Sequence, residues 1–419
     1  MKKVDIIRPS SIYAINGPIG TLKRILYNRE YFMSRGYEVE LFTNESLQQG
    51  PFFEVPSKTI ERAASPTLSW LRRFISRWLR SRARVDLWAA KLIDKKSKKE
   101  AELLVDYYLS LNRTPDIVQF HSDTECYLYL KKHKGTLPKI ILFQHTDGIP
   151  LRMLTESLPG LKDSKYLDGL KSELDQIVER VDRLVFIARI GQTNCLKHYP
   201  QRTHDDTSVI INGIDKLSPS QSLEVAQIKE KGKKYKYRLC CTGTVSYRKG
   251  QRIIIMAISK LPEDLRKQIS VDFIGDGAEK QMLENLSADL GMTDQVHFLG
   301  NKPNKDVYKY LAENNVYVLM SKNEGLPISI IEAMRVGLPI ISTRVSGIPE
   351  LVEDGYNGFL LNPDVDELAD LLRRLPEFDL EKMGRNSMIR FENEFTFERM
   401  EREFCDMYDK TLRNTNYLK

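Results

Sequence analysis

Two glutamates, Glu324 and Glu332, a basic pair, Arg248 and Lys249, and two histidines, His121 and His145, are the residues of this chain whose types and settings suit chemistry. Glu324 sits in the turn that opens the stretch 321–337, SKNEGLPISIIEAMRVG, and Glu332 lies in what reads as the helix after Pro327. The backbone N–H groups of Ile328, Ser329 and Ile330, with the partial positive charge of a helix start, would seat a phosphate. Glu332 follows Ser329 by three residues and Ile328 by four, on the same helix face. A carboxylate there can accept hydrogen bonds from vicinal hydroxyls such as those of a ribose. Arg248 and Lys249, in the loop GTVSYRKG at 243–250, carry the charge that a diphosphate needs beyond what amides supply. Taken singly, each feature has a plain reading as surface or turn charge.

The elements that must position these groups are legible around them. The run VYVLM at 316–320 has the unbroken apolar character of a buried parallel strand, and PIIST at 339–343 resumes it, so the segment reads strand, helix, strand. Pro327 is placed to open the helix, where its missing N–H would have gone unpaired anyway, and Gly337 to close it in a left-handed conformation, with Pro339 just beyond. Upstream, 4–7, 116–121, 139–144 and 182–188 read as further parallel strands, and His121 and His145 sit where two of them end. Ligands of doubly wound sheets collect at such strand ends. Gly17 and Gly20, between the first strand and a helix expected over 21–35, let backbone approach a ligand, though their spacing is not that of a dinucleotide fingerprint. Asp364 and Asp366 read as a helix cap and first turn, not a metal pair. The polar stretch 216–236 reads as a linker, and 395–417 as an amphipathic terminal helix.

The segment EGLPISIIEA closely resembles the E-x7-E signature of retaining GT-B glycosyltransferases, particularly family 4, and GLPI at 337–340, SGIPELV at 346–352 and DGYNG at 354–358 are similar as well. NGID at 212–215 resembles the turn that ends the first domain in that family. The resemblance implies an α/β fold of two Rossmann-like, doubly wound parallel-sheet domains facing across a cleft. Residues 1–215 would form the acceptor domain, with helix 395–419 returning to it, and 216–394 the donor domain. A UDP-sugar or similar nucleotide sugar would be held by Gly17, Gly20, Gly243, Thr244, Arg248, Lys249, Gly325, Leu326, Pro327, Ile328, Ser329 and Glu332. The catalytic set would be Glu324 on the sugar hydroxyls, His145 facing the reacting sugar, and Lys249 and Arg248 on the leaving diphosphate. Retention of configuration is expected, with no metal and no cofactor. The chain departs from the family at Thr244, where members commonly carry Arg, and at Ala188, where they usually carry Ser.

Composition bounds these readings. A chain of 419 residues that is 41% apolar can bury two ordinary cores. Five cysteines without C-x-x-C spacing read as reduced thiols. The start, MKKVDIIR, is too short and too charged for a signal peptide, and no run of about 18 apolar residues occurs. The expectation is a cytoplasmic protein, peripheral to the inner membrane face.

The net charge of +7 is unevenly spread: residues 68–99 hold all three tryptophans and eleven Lys or Arg against two Asp. On a helical wheel Trp70, Leu71, Phe74, Ile75, Trp78, Leu79, Val85, Trp88, Leu92 and Ile93 share one half-circle and Arg72, Arg73, Arg77, Arg80 and Arg84 the other, with Arg82 and Leu87 out of place. Three readings compete for this basic amphipathic helix or helix pair: a stripe packed on its own domain, an anionic membrane surface met by Trp70, Arg73, Phe74, Arg77, Trp78 and Arg80, or nucleic acid. No reader module accompanies the charge, so nucleic acid is not expected as a partner. A bilayer contact implies a lipid-linked saccharide acceptor, as in capsule, exopolysaccharide or O-antigen assembly. Without it, a glucan or sugar phosphate is the alternative, and a non-catalytic nucleotide-sugar or polyanion binder is the rival of another class.

Overall fold

The structure, a computed structural model, describes residues 1–11, 19–54, 75 and 78–413. The chain divides into two units, 1–210 with 401–419, and 211–400.

The first unit is built on strands β1 (Lys2–Ile7), β2 (Tyr37–Phe42), β3 (Ile117–Phe120), β4 (Lys139–Gln144), β5 (Arg183–Phe186) and β6 (Thr207–Val209). They form one sheet of order β2-β1-β3-β4-β5-β6, parallel throughout. Apolar strands such as KIILFQ are covered by helices Leu87–Ser110, Asp123–Lys132 and Lys165–Arg180, whose Leu104, Tyr108, Cys126, Tyr129, Leu174 and Ile177 share a core with Phe42, Phe120 and Phe186. The helix expected over 21–35 is two, Ile19–Tyr27 and Arg29–Ser34, with Asn28 departing from helical geometry between them. Gly20 thus lies in a first helical turn, where its cost to a helix is small because few bonds depend on it. Gly17 falls outside the described residues.

The basic stretch is also broken. Residues 78–82 are helical, 83–86 form a turn, and helix Leu87–Ser110 begins after Asp86 in extended conformation. A single wheel therefore fails, because the turn resets the phase. Leu79, Leu87 and Ile93 pack on a small cluster of Ala83, Ala89, Ala90, Leu158, Leu161 and Leu170. Leu87, out of place on the wheel, is among the residues that turn inward. Ile75, Trp78, Val85, Trp88 and Leu92 remain exposed, with the two indole rings 5.9 Å apart, and Arg80 is exposed as well. Trp70, Arg73, Phe74 and Arg77 fall outside the described residues.

The second unit carries β7 (Tyr237–Thr242), β8 (Ile269–Ile274), β9 (Val296–Gly300), β10 (Val316–Leu319), β11 (Ile340–Thr343) and β12 (Gly358–Leu361) in a parallel sheet of order β12-β11-β10-β7-β8-β9. Helix Ile328–Arg335 joins β10 to β11. Pro327 occupies its cap position, one residue earlier than expected, because φ −72° with ψ 108° keeps it extended. Gly337 closes the helix at φ 71°: its N–H reaches Met334 O at 2.9 Å and that of Leu338 reaches Ala333 O at 3.1 Å, the paired bonds of a left-handed glycine stop. The expected linker contains helix Pro219–Glu230, opened by a capping box in which Ser218 and Gln221 exchange side-chain and backbone bonds. Asp364 caps helix Val365–Arg373, accepting from Asp366 and Glu367 N–H at 2.8 and 3.0 Å. Helix Phe397–Arg413 starts in the second unit and ends in the first. No helix among the described residues is long and apolar enough to cross a membrane, and all five cysteines are buried free thiols.

Candidate functional site

In the second unit the groups singled out from sequence converge at the C-terminal ends of β7 and β10. The loop after β7 passes through Gly243 at φ 132°, a short 3-10 turn at Tyr247–Lys249, and Gly250 at φ 73°. A side chain at Gly250 would put its Cβ 2.0 Å from Met320 O, so only glycine lets this loop lie against the end of β10. The close approach turns Lys249 inward. Its Nζ lies 2.7 Å from Glu324 Oε1, and Arg248 Nη1 reaches the same oxygen at 2.9 Å while also donating to Asn323 O at 2.8 Å. Ser321 Oγ donates a further bond to Oε1 at 2.8 Å.

Glu324 and Lys249 are buried, whereas Arg248 is half exposed. Burial alone would raise the Glu324 carboxyl, yet Lys249 first and then Arg248, with the Lys249 and Ser321 hydrogen bonds, hold it below the usual glutamate range. The carboxylate is therefore ionised near neutrality, and its Oε2 has no partner among the described residues.

The turn carrying Glu324 is tied down on both sides. Thr343 Oγ1 donates to Ser321 O at 2.7 Å, Gly347 N to Gly325 O at 3.0 Å, and Ser346 Oγ to Asn323 Oδ1 at 3.1 Å. Beyond it, buried Leu326 and Pro327 lead into helix Ile328–Arg335. Ile330 N–H is spent on Pro327 O at 3.1 Å, contrary to the expectation that three amides stand open; no described hydrogen bond uses those of Ile328 and Ser329. Glu332 lies partly buried on the same helix, and Thr244 is exposed at the rim of the β7 loop. Two cations, two amides at a helix start and one ionised carboxylate thus lie together at the C-terminal ends of β7 and β10. A diphosphate can be neutralised there while hydroxyls are bound beside it.

The first unit holds a second cluster. His121 and His145 end β3 and β4, their rings stacked 5.1 Å apart, with Nδ1 of His121 2.8 Å from Nε2 of His145. Gln119 Nε2 lies 2.6 Å from His121 Nε2, and Tyr408 of the terminal helix reaches Gln119 Oε1 at 2.8 Å. Tyr408 is buried and makes no other hydrogen bond among the described residues, so it must donate its O–H here or lose it. That choice propagates. The Gln119 amide faces His121 Nε2, which accepts; His121 then carries its proton on Nδ1 and donates to His145 Nε2; His145 keeps its own proton on Nδ1. Burial first, then the charges around it, including Arg8, pushes His121 well below its usual range, and burial with Arg8 takes His145 down to about 3. Both rings are neutral near pH 7, and His145 is a hydrogen-bond donor.

Of the residues named from sequence, Arg248, Lys249, Gly243, Thr244, Glu324, Gly325, Leu326, Pro327, Ile328, Ser329 and Glu332 lie in the second unit, on the segments that follow β7 and β10. His145 belongs to the first unit, as does Gly20. Sequence reasoning missed Ser321, Asn323, Gln119 and Tyr408. Ser321 had a signal, since a hydroxyl three residues before a buried carboxylate in a turn can bond it. Tyr408 had none, lying 289 positions from Gln119. Among the described residues no group of three or more His, Cys, Asp or Glu is set to hold a metal ion.

Residues 192–387 match the family model of glycosyl transferases group 1. An uncharacterised glycosyltransferase of Methanocaldococcus jannaschii is 25% identical over 74% of this chain and 76% of its own length. The amylovoran biosynthesis glycosyltransferase of Erwinia amylovora is 33% identical over 33% of this chain and 36% of its own length. Among solved structures, sucrose-phosphate synthase of Thermosynechococcus elongatus superposes with a TM-score of 0.71 at 15% identity, over 98% of this chain and 99% of the other. Anabaena HepE in complex with UDP gives 0.63 at 17% identity, over 98% and 100%. The fold is that of GT-B transferases.

Proposed function

We propose that this member of the glycosyl transferases group 1 moves a hexose, with retention of configuration, from a nucleoside diphosphate sugar to a hydroxyl of a lipid-linked saccharide at the cytoplasmic membrane face. The observation that carries the reading is the Glu324 carboxylate held by Lys249 and Arg248 beside a helix start with two open amides. UDP is the nucleotide we favour, because HepE, whose fold this chain shares, is a UDP complex. Amylovoran biosynthesis, the role of one relative, supports polysaccharide assembly as the setting.

The steps follow from charge. As the bond to the anomeric carbon lengthens, negative charge grows on the departing diphosphate, and groups already fixed around it stabilise that change most. Lys249 and Arg248 turn from Glu324 towards the phosphates, and the amides of Ile328 and Ser329 complete the seat. Glu324 accepts from the sugar hydroxyls and Glu332 from the ribose. The acceptor attacks from the face the diphosphate leaves, giving its proton to that phosphate. These cations supply the charge that a metal ion would otherwise bring.

Replacing Glu324 by Ala or Gln is expected to lower transfer by a factor of about 100 or more while the protein stays folded. The assay follows release of UDP or GDP from a panel of their sugars, with and without lipid-linked acceptor. Near-normal turnover in folded E324A would remove Glu324 from this role. Binding without release of any nucleotide, acceptor present, would make the protein a binder instead.

A further inference from the structure

Beside His145 the first unit has a cavity of about 270 Å³ that is open to solvent. Its mouth carries His145, Asp123 and Gln144, and Gln144 Nε2 donates to Asp123 Oδ1 at 2.5 Å. The inner wall is apolar: Leu174, Ile177 and Val178 of helix Lys165–Arg180 face Leu184, Phe186 and Cys195. The wall formed by Leu174, Ile177 and Val178 offers water no hydrogen-bond partners, whereas His145, Gln144, Asp123, Lys98 and Glu173 offer several. Such a division suits an amphiphile, apolar at one end and polar at the other.

The loop over the mouth is built under constraint. Leu151, which lines the cavity, sits in the left-handed region at φ 56°, an uncommon place for a branched side chain. Gly148, at φ 74°, touches the Gly191 backbone so closely that a Cβ would fall 1.9 Å from its carbonyl oxygen. Asp94 and Lys98 close another side of the cavity, and they stand on helix Leu87–Ser110, which also displays the exposed Trp88 and Leu92. One helix therefore carries exposed apolar side chains and also borders the cavity, where Lys98 pairs with Glu173 at 2.7 Å.

We propose that this cavity takes the hydrocarbon chain of the acceptor, laid along Leu174 and Ile177 with its hydroxyl-bearing end at His145. The proposal rests on the transfer reading above and narrows its acceptor to an amphiphile whose first carbons leave the bilayer. His145, holding its proton on Nδ1, offers that end a donor.

The probes are 1-alkanols of four to ten carbons, with affinity measured by calorimetry and thermal shift on the full chain. Affinity should rise about fourfold per added methylene and then level off when the cavity is full. Leu174→Trp, which fills the inner wall, should flatten the series and leave UDP binding unchanged. Ile177→Phe serves the same purpose if the first variant does not fold. Trp88→Ala should keep the dependence, which separates the interior from the exposed indoles. A flat series in the unaltered protein, or an unchanged one in a folded, filled variant, overturns the proposal. A steep series in a protein that transfers sugar to no acceptor would leave the cavity assignment standing and remove the transfer reading instead.

Discussion

At the scale of single residues, the protonation of buried Glu324 and partly buried His145 decides how the sites behave. Glu324 titrates lower when folded than when unfolded, so its pairing with Lys249 and Arg248 adds stability above the ordinary glutamate range near pH 4.3 and loses it as pH falls through that range. His145 also titrates lower when folded, near 3 against about 6.5 unfolded. Its contribution is full above pH 6.5 and drains away as pH drops towards 3, by at most about 1.4 kcal/mol per pH unit. Urea midpoints measured from pH 7.5 to 4 should therefore begin to fall near pH 6.5, earlier than carboxylates alone would allow. His145→Gln should remove about half of that early slope, since His121 is lowered too and supplies the rest, and an unchanged slope would contradict a neutral His145 imidazole. Long-range ¹⁵N spectra of histidine-labelled protein should find the His145 proton on Nδ1. Tyr408→Phe frees the Gln119 amide to turn over, so a mixture of tautomers is expected there with the fold intact; a lone Nε2–H signal in the unaltered protein would refute the relay. The pair Glu324 and Glu332 stood out in the sequence through the resemblance of EGLPISIIEA to a known signature, since two glutamates eight apart read singly as surface charge. The relay did not, because it joins a strand end to a helix nearly 290 residues later, and no local pattern records such a meeting.

At the scale of elements, what was readable is what short-range rules control. Strands of unbroken apolar residues, the glycine stop at Gly337 and the Asp364 cap all follow from patterns a few residues long. Two elements escaped for physical reasons. Helix Pro219–Glu230 buries only Val225 and Ile228, too few to write a periodic stripe, although its capping box was present in Ser218 and Gln221. The basic stretch defeated the wheel because the turn at 83–86 changes which face is inward. Two substitutions test these accounts. Ser218→Ala should cost about 1 kcal/mol in chemical denaturation, the usual worth of such a cap, whereas no change would mean the helix is held by its packing alone. Gly250→Ala should cost more, on the order of 2–4 kcal/mol, since it meets both a left-handed backbone and the Met320 carbonyl. It should also weaken UDP binding by displacing Lys249; a stable variant with unaltered UDP affinity would show that the loop tolerates another path.

At the scale of the whole molecule, the charge of +7 acts through its placement. Trp78 and Trp88 stand about half exposed in the first unit, with Arg80 and Arg84 exposed nearby. Apolar burial alone holds a protein to a bilayer weakly, and so does charge alone, but the two together suffice for reversible attachment. Each basic residue near an anionic surface contributes about 1 kcal/mol, an attraction that fades within a Debye length as salt rises. Vesicles containing a third phosphatidylglycerol should therefore carry the protein upward in flotation at 0.1 M salt, and phosphatidylcholine vesicles should not. Raising salt to 0.5 M should release most of it. Replacing Trp78 and Trp88 together by Ala should weaken partitioning by about tenfold or more even at low salt, because it removes the apolar half of the attachment. Reversing Arg80 and Arg84 to Glu should abolish flotation with the anionic vesicles at 0.1 M salt. If the unaltered protein stays at the bottom of the gradient with both vesicle types, the exposed indoles are not a membrane anchor, and the acceptor must be one that reaches the protein through water.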